Sequence, residues 1–158
     1  MGEAIPRQPP VEKNRVHHPL GFSLIVPPNW DSHIILTSGP LVLTPKTPGR
    51  YARRSKASIV VTYLRRYSPP DLERLVKTSF LGQSAYEGMQ VNRPWTFDDG
   101  AWSEYTLYLT HDGDWYEIRY GIAEERTQLP GEVRQYLNTL RWEGAANQTV
   151  PPITEPEQ

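Results

Sequence analysis

Residues Ala101 to Ala123 read AWSEYTLYLTHDGDWYEIRYGIA. An Asp-Gly pair between two alternating segments is a strong hairpin signal, because both positions of a two-residue turn need positive φ. A turn at Asp112-Gly113 fixes the register of everything around it. Thr110 then faces Trp115, Leu109 faces Tyr116, Leu107 faces Ile118 and Tyr105 faces Tyr120. Side chains alternate along a strand, so the last three pairs share one apolar face. The opposite face carries Thr106 against Arg119 and Tyr108 against Glu117. One turn therefore predicts a core face and a mixed face.

Outward from this hairpin, the chain divides by composition. The segment 1–19 holds four prolines among charges and reads as a flexible, disordered or extended lead-in. A single domain is expected over 20–143. The polar segment 144–158 reads as a flexible tail. Within the domain, Gly21 to Val26 reads as a first strand, stopped by Pro27-Pro28. Trp30 reads as a core plug beside that turn. His33–Thr37 and Leu41–Thr44 read as a second hairpin. Ala57 to Leu64 reads as a central strand, apolar on both faces.

Two helices are expected. Ser68-Pro69-Pro70-Asp71 offers a cap, a first-turn proline and a capping-box partner. Leu72, Leu75, Val76 and Phe80 then fall on one helical face, and Gly82 is a plausible stop. Thr127 to Leu140 repeats the pattern with Leu129, Val133, Tyr136, Leu137 and Leu140. The resulting expectation is an α+β fold, a largely antiparallel β-sheet sandwiched by amphipathic helices.

The order of landmarks resembles the PsbP/Mog fold family. An early F-x-x-x-x-P-x-x-W element is present as Phe22-Ser-Leu-Ile-Val-Pro-Pro-Asn-Trp30. A mid-chain helix would span Asp71 to Leu81, and the chain closes on Thr139-Leu-Arg-Trp142 after the aromatic hairpin. The resemblance covers about residues 20–143. It implies an antiparallel sheet between helices and, usually, a non-enzymatic binding or assembly role. Relatives of that kind include photosystem-associated, Ran-binding, envelope and secretion-related proteins.

Catalytic templates are not found. There is no G-x-S-x-G elbow, phosphate loop, G-x-G-x-x-G or H-E-x-x-H. With no cysteine there is no disulfide, thiolate metal site or Cys nucleophile. His17 and His18 lie in the proline-rich lead and read as a solvated pair. His111 beside Asp112 and Asp114 fits turn chemistry better than a cation site. The expectation is no enzyme, no cofactor and no metal.

Charge is more informative. The net charge is −1, yet Ser32 to Pro70 contains no acidic residue and seven basic ones. From Asp98 to Glu125 eight acidic residues stand against Arg119 alone. Two arrangements of these charges are open. They can pair across the sheet, which is worth about 0–1 kcal/mol per exposed pair. Alternatively, Arg50, Tyr51, Arg53, Arg54 and Lys56 form a basic loop that meets an acidic surface of another protein. Tyr108 and Trp115, on the mixed face of the hairpin, would add an aromatic patch to that partner site. A small-molecule or anion-binding domain is the alternative, with a hydrolase a distant third. Nucleic acid is disfavoured, since the chain is neither basic overall nor built on a reading motif. No run of about 18 apolar residues marks a membrane span. No signal-peptide core opens the sequence, so the cytoplasm is expected as written, or the envelope if a leader was removed.

Overall fold

A computed structural model of the chain describes residues 8–46, 56–67, 69, 72–92 and 101–143. Ten strands and one α-helix are found among them. The strands are β1 (Arg15–His18), β2 (Phe22–Ile25), β3 (Trp30–Ile34), β4 (Leu41–Pro45) and β5 (Ala57–Arg65), then β6 (Val76–Phe80), β7 (Gln83–Asn92), β8 (Trp102–His111), β9 (Asp114–Ile122) and β10 (Arg141–Trp142). Helix α1 is Gly131–Leu137. A large sheet of seven strands runs β3-β4-β5-β9-β8-β7-β6, and a small sheet of three runs β1-β2-β10. Every pairing in both sheets is antiparallel.

The β8–β9 hairpin has the register its turn demands. Asp112 and Gly113 have φ of 53° and 83°, and Thr110↔Trp115, Leu109↔Tyr116, Leu107↔Ile118 and Tyr105↔Tyr120 pair as expected. That register propagates. One inner-face row crosses five strands as Leu41, Val61, Ile118, Leu107 and Glu87. The next runs Leu43, Ile59, Tyr120, Tyr105 and Met89. The apolar members from β4 to β8 are all buried. Phe22, Leu24 and Ile25 of the small sheet and Val133, Tyr136 and Leu137 of α1 complete the same core. Burying an aliphatic or aromatic side chain is worth about 1.5–3 kcal/mol, so these rows supply the main driving force.

The helix-sandwiched α+β expectation is overturned. Among the described residues the fold is mostly β, with one short α-helix. Residues 71–81 do not form a helix: Leu72–Arg74 is a single 3-10 turn and Val76–Phe80 is a strand. Leu81 and Gly82 both have positive φ, 52° and 79°, and form the two-residue turn into β7. Gly82 therefore turns a hairpin instead of stopping a helix. Val76, Thr78 and Phe80 alternate, and β-branched Val and Thr favour a strand. The second helix is shorter than Thr127–Leu140. Pro130 is extended (φ −62°, ψ 146°) and only Gly131–Leu137 is helical. The layer assigned to a second helix is supplied by the small sheet. Its strand β1 lies inside the proline-rich lead, where pairing with β2 orders Arg15 to His18. Strand β5 is central, as its composition suggests, but Val60 is only half-buried on the outer face.

Leu81 pays for its turn with a left-handed backbone that costs an L-residue about 1–2 kcal/mol. Its side chain is 45% exposed and contributes little packing. Replacing it as Leu81→Asn should raise stability by about 1 kcal/mol, read from a urea or thermal midpoint. A lowered midpoint would show that Leu81 makes contacts worth more than the strain.

Candidate functional site

The outer face of the large sheet is where the hairpin's mixed face lies. The small sheet and α1 pack on the opposite face. One outer row runs Thr62, Glu117, Tyr108, Tyr86 and Lys77 across β5, β9, β8, β7 and β6. Trp115 lies one step away, opposite Thr110, with its ring 6.3 Å from that of Tyr86 and tilted by 38°. Trp115, Tyr108 and Tyr86 are each half-buried. Tyr108 and Trp115 are thus on one face as expected, and Tyr86 joins them. Tyr86 is not legible in the sequence as a member of this face, because its strand pairs with β8 across a long sequence gap.

Charge on this face is largely self-compensated. The Tyr108 hydroxyl donates to Glu117 Oε2 at 2.8 Å. Arg119 reaches Glu117 at 3.1 Å and Glu104 at 3.4 Å. Burial raises the Tyr108 pKa, and its bond to the Glu117 carboxylate raises it further. The phenol is therefore a proton-holding donor at neutral pH. Arg66 of the basic half meets Asp114 of the acidic half at 3.9 Å, with the Arg66 side chain 89% exposed. Such a pair contributes little. Glu124 meets the neighbouring Arg126 at 2.8 Å. Arg50, Tyr51, Arg53 and Arg54 lie outside the described residues, and Lys56 is exposed just before β5.

Two clefts flank β7. The outer one, about 400 Å³, is lined by Arg74, Leu75, Gln90, Thr106, Tyr108 and Arg119 among others. The inner one, about 360 Å³, lies between β7 and the approach to α1, with Leu129 and Arg134 on its wall. There the apolar inner row meets Glu87. Tyr105 donates to Glu87 Oε1 at 2.6 Å, and Arg134 of α1 donates to the same oxygen at 3.1 Å. Burial, then the Glu87 hydrogen bond, pushes the Tyr105 pKa well above its ordinary value. This phenol too stays protonated, and the trio ties α1 to β7.

The histidines are not a solvated pair. They are adjacent in β1 and so point to opposite faces. His18 is buried, stacked on Phe22 with centroids 4.6 Å apart. Its Nδ1 accepts from the Leu20 N–H at 3.0 Å, so Nε2 carries the proton and donates to the Gly39 carbonyl at 2.8 Å. His17 is exposed and meets Glu143 Oε1 at 2.7 Å, while the Ser23 hydroxyl donates to Glu143 Oε2 at 2.9 Å. Serine and histidine thus share a carboxylate and do not bond each other, which differs from a nucleophile–base pair. His111 stacks on Trp142 with centroids 4.0 Å apart, a packing role. Among the described residues no group of three or more His, Cys, Asp or Glu is placed to hold a metal ion. No helix among them is long and apolar enough to cross a membrane.

Fold and site together define an antiparallel two-sheet β domain with one short helix and an aromatic outer sheet face. No protein-family model matches the chain, and no curated protein matches it. A crystal structure from Bacteroides thetaiotaomicron is similar to it, with a TM-score of 0.58 over 83% of this chain at 8% identity. The chain spans 48% of that protein's length. At that identity the likeness is one of fold alone.

Proposed function

We propose that the chain is a non-enzymatic protein-binding or assembly module of the PsbP/Mog-like type, docking its partner on the outer face of the large sheet. The observation that carries this reading is the cluster of Trp115, Tyr86 and Tyr108 on the face opposite the described second layer. Half-exposed aromatic side chains beside satisfied charges suit an interface, because they bury large area at low entropic cost. The basic segment with Arg50, Tyr51, Arg53, Arg54 and Lys56 would add attraction to an acidic partner surface. Two landmarks of the family resemblance support the reading as packing elements: Phe22 and Trp30 are buried, and Trp142 packs on Tyr116 and Phe22. The third, a mid-chain helix, is replaced by a hairpin.

A second reading, small-molecule or anion binding, is favoured by the outer cleft, whose volume is in the range of ligand pockets. An anion there would compete with Glu104 and Glu117 for Arg119, which makes protein docking the stronger reading.

The test is affinity capture with wild type, Trp115→Ala/Tyr86→Ala, Arg53→Glu/Arg54→Glu and, as a control on the small sheet, His17→Ala. All four must match by circular dichroism. A protein retained by wild type and His17→Ala but lost by the aromatic variant supports the reading. Equal capture by all four would overturn it.

A further inference from the structure

We infer that β3, at one edge of the large sheet, pairs antiparallel with the β3 of a second copy of this chain, about a two-fold axis through Ser32. The inference goes beyond the protein-binding reading and does not rest on it. Strand β3 ends the order of the large sheet, and its one neighbour among the described residues is β4. Residues 8–46 are described without a break, so the chain entering β3 and the chain leaving it through β4 are both placed. Asp31, Ser32 and His33 are all exposed. Ser32 pairs with Leu43 of the inner row, and Asp31 and His33 point to the outer face. The margin is therefore exposed on both of its sides.

The direction of its backbone groups follows from two hydrogen bonds to the β4 side. Ile35 N–H donates to the Pro40 carbonyl at 3.2 Å, and Lys46 N–H donates to the Asn29 carbonyl at 2.8 Å. Hydrogen-bonded pairs alternate along an antiparallel ladder. Both ends give the same parity: Asn29, Asp31, His33 and Ile35 face β4, while Trp30, Ser32 and Ile34 face off the edge. The Trp30 N–H is taken by the Pro27 carbonyl at 3.2 Å. The Trp30 carbonyl and both backbone groups of Ser32 and Ile34 are left. Among the described residues, no backbone hydrogen bond from another segment reaches them.

Pairing two copies about Ser32 satisfies these groups in one register. Ser32 meets the partner's Ser32 in a hydrogen-bonded pair, and each Ile34 N–H meets the partner's Trp30 carbonyl, about four bonds in all. Asp31 then stands opposite the partner's His33, and His33 opposite the partner's Asp31. Both fall in non-hydrogen-bonded pairs, where side chains approach most closely. A charge on an edge strand ordinarily repels strand addition. Here it selects a register instead: an axis centred on Asp31 or His33 would set like residues against each other, and an axis on Ser32 sets carboxylate against imidazole.

Apolar surface lies in the path of the same two-fold. Ile35 is 53% exposed and Leu36 79%. Leu36 also holds a positive φ of 66°. An exposed leucine in a left-handed backbone gains little from the packing of its own chain. Counted on in the Ser32 register, Ile35 and Leu36 come beside the partner's Asn29 and the partner's Pro28, so the second copy would cover them.

The experiment is sedimentation velocity on the full chain over a concentration series, with each variant first matched to wild type by circular dichroism. Wild type should pass from monomer to dimer as its concentration rises to about 1 mM, the weak end expected of a small edge contact. Ser32→Pro removes an outward N–H and leaves the ladder to β4 intact, so its dimer should be weaker by about tenfold or more. His33→Asp sets carboxylate against carboxylate, and Asp31→Lys/His33→Lys sets lysine against lysine. Each should be monomeric alone, and an equimolar mixture of the two should dimerise, because every carboxylate then faces a lysine. The mixture decides the matter even if Ser32→Pro fails to fold. A wild type still monomeric at about 1 mM, a dimer that survives Ser32→Pro and both charge variants, or a mixture that stays monomeric overturns the inference. Loss of partner capture by Ser32→Pro from a monomeric wild type would give this edge to a partner's strand instead. The proposed docking face is judged separately, by partner capture through Trp115 and Tyr86.

Discussion

Replacing Gly39 with alanine is expected to destabilise the domain by about 3 kcal/mol, the upper range for forcing atoms into a packed site. A Cβ built on Gly39 would overlap the carbonyl oxygen of Ile35. That obstacle is backbone and cannot rotate aside, so the turn between β3 and β4 must open. The turn is held on both sides. Ile35 N–H donates to the Pro40 carbonyl at 3.2 Å, and the Gly39 carbonyl accepts from buried His18 at 2.8 Å. Moving Gly39 therefore also strands a buried imidazole donor, which adds a desolvation penalty. Gly131→Ala is the control, because a Cβ there meets nothing and alanine favours the helix. Urea denaturation should show a large loss for the first variant and none for the second. A loss below about 0.5 kcal/mol for Gly39→Ala would mean that the turn relaxes freely.

Phe22→Ala should cost about 3–5 kcal/mol, the range for truncating a buried phenylalanine. Phe22 is 1% exposed and is the point at which the small sheet grips the large one. Its ring stacks on His18 and meets the edges of Tyr116 at 5.9 Å and Trp142 at 6.0 Å. Trp142 in turn packs on Tyr116 of β9 and His111 of β8. Removing the ring empties the centre of an aromatic cluster drawn from both sheets. The near-ultraviolet circular dichroism of Trp142 should weaken together with the unfolding midpoint. A loss under about 1.5 kcal/mol would show that the sheets are held mainly elsewhere.

The candidate site was legible in the sequence where local chemistry decided it. The Asp-Gly turn placed Tyr108 and Trp115 on one face of the hairpin before any long-range contact was known. Its partners were not legible. Tyr86 enters through the β7–β8 pairing, and β7 follows a segment whose apolar spacing suits a helix. The histidines show the same limit. Proline and charge around His17 and His18 suggested solvent, and only the pairing of β1 with β2 sends one of them inward.

By itself the sequence determined the β8–β9 register, the central place of β5 and the existence of a C-terminal helix. Each follows from local rules: a two-residue turn sets parity, β-branched alternation makes a strand, and a stripe of Val133, Tyr136 and Leu137 makes a helix face. Tertiary structure alone decided residues 72–82, the small sheet and the joining of β5 to β9. Leu72, Leu75, Val76 and Phe80 satisfy the helical period while Val76, Thr78 and Phe80 satisfy the strand period. Between two such readings the outcome rests on where the backbone N–H and C=O groups find partners. Strand β7 supplies those partners to β6, β2 supplies them to β1, and both depend on pairings beyond the reach of local pattern.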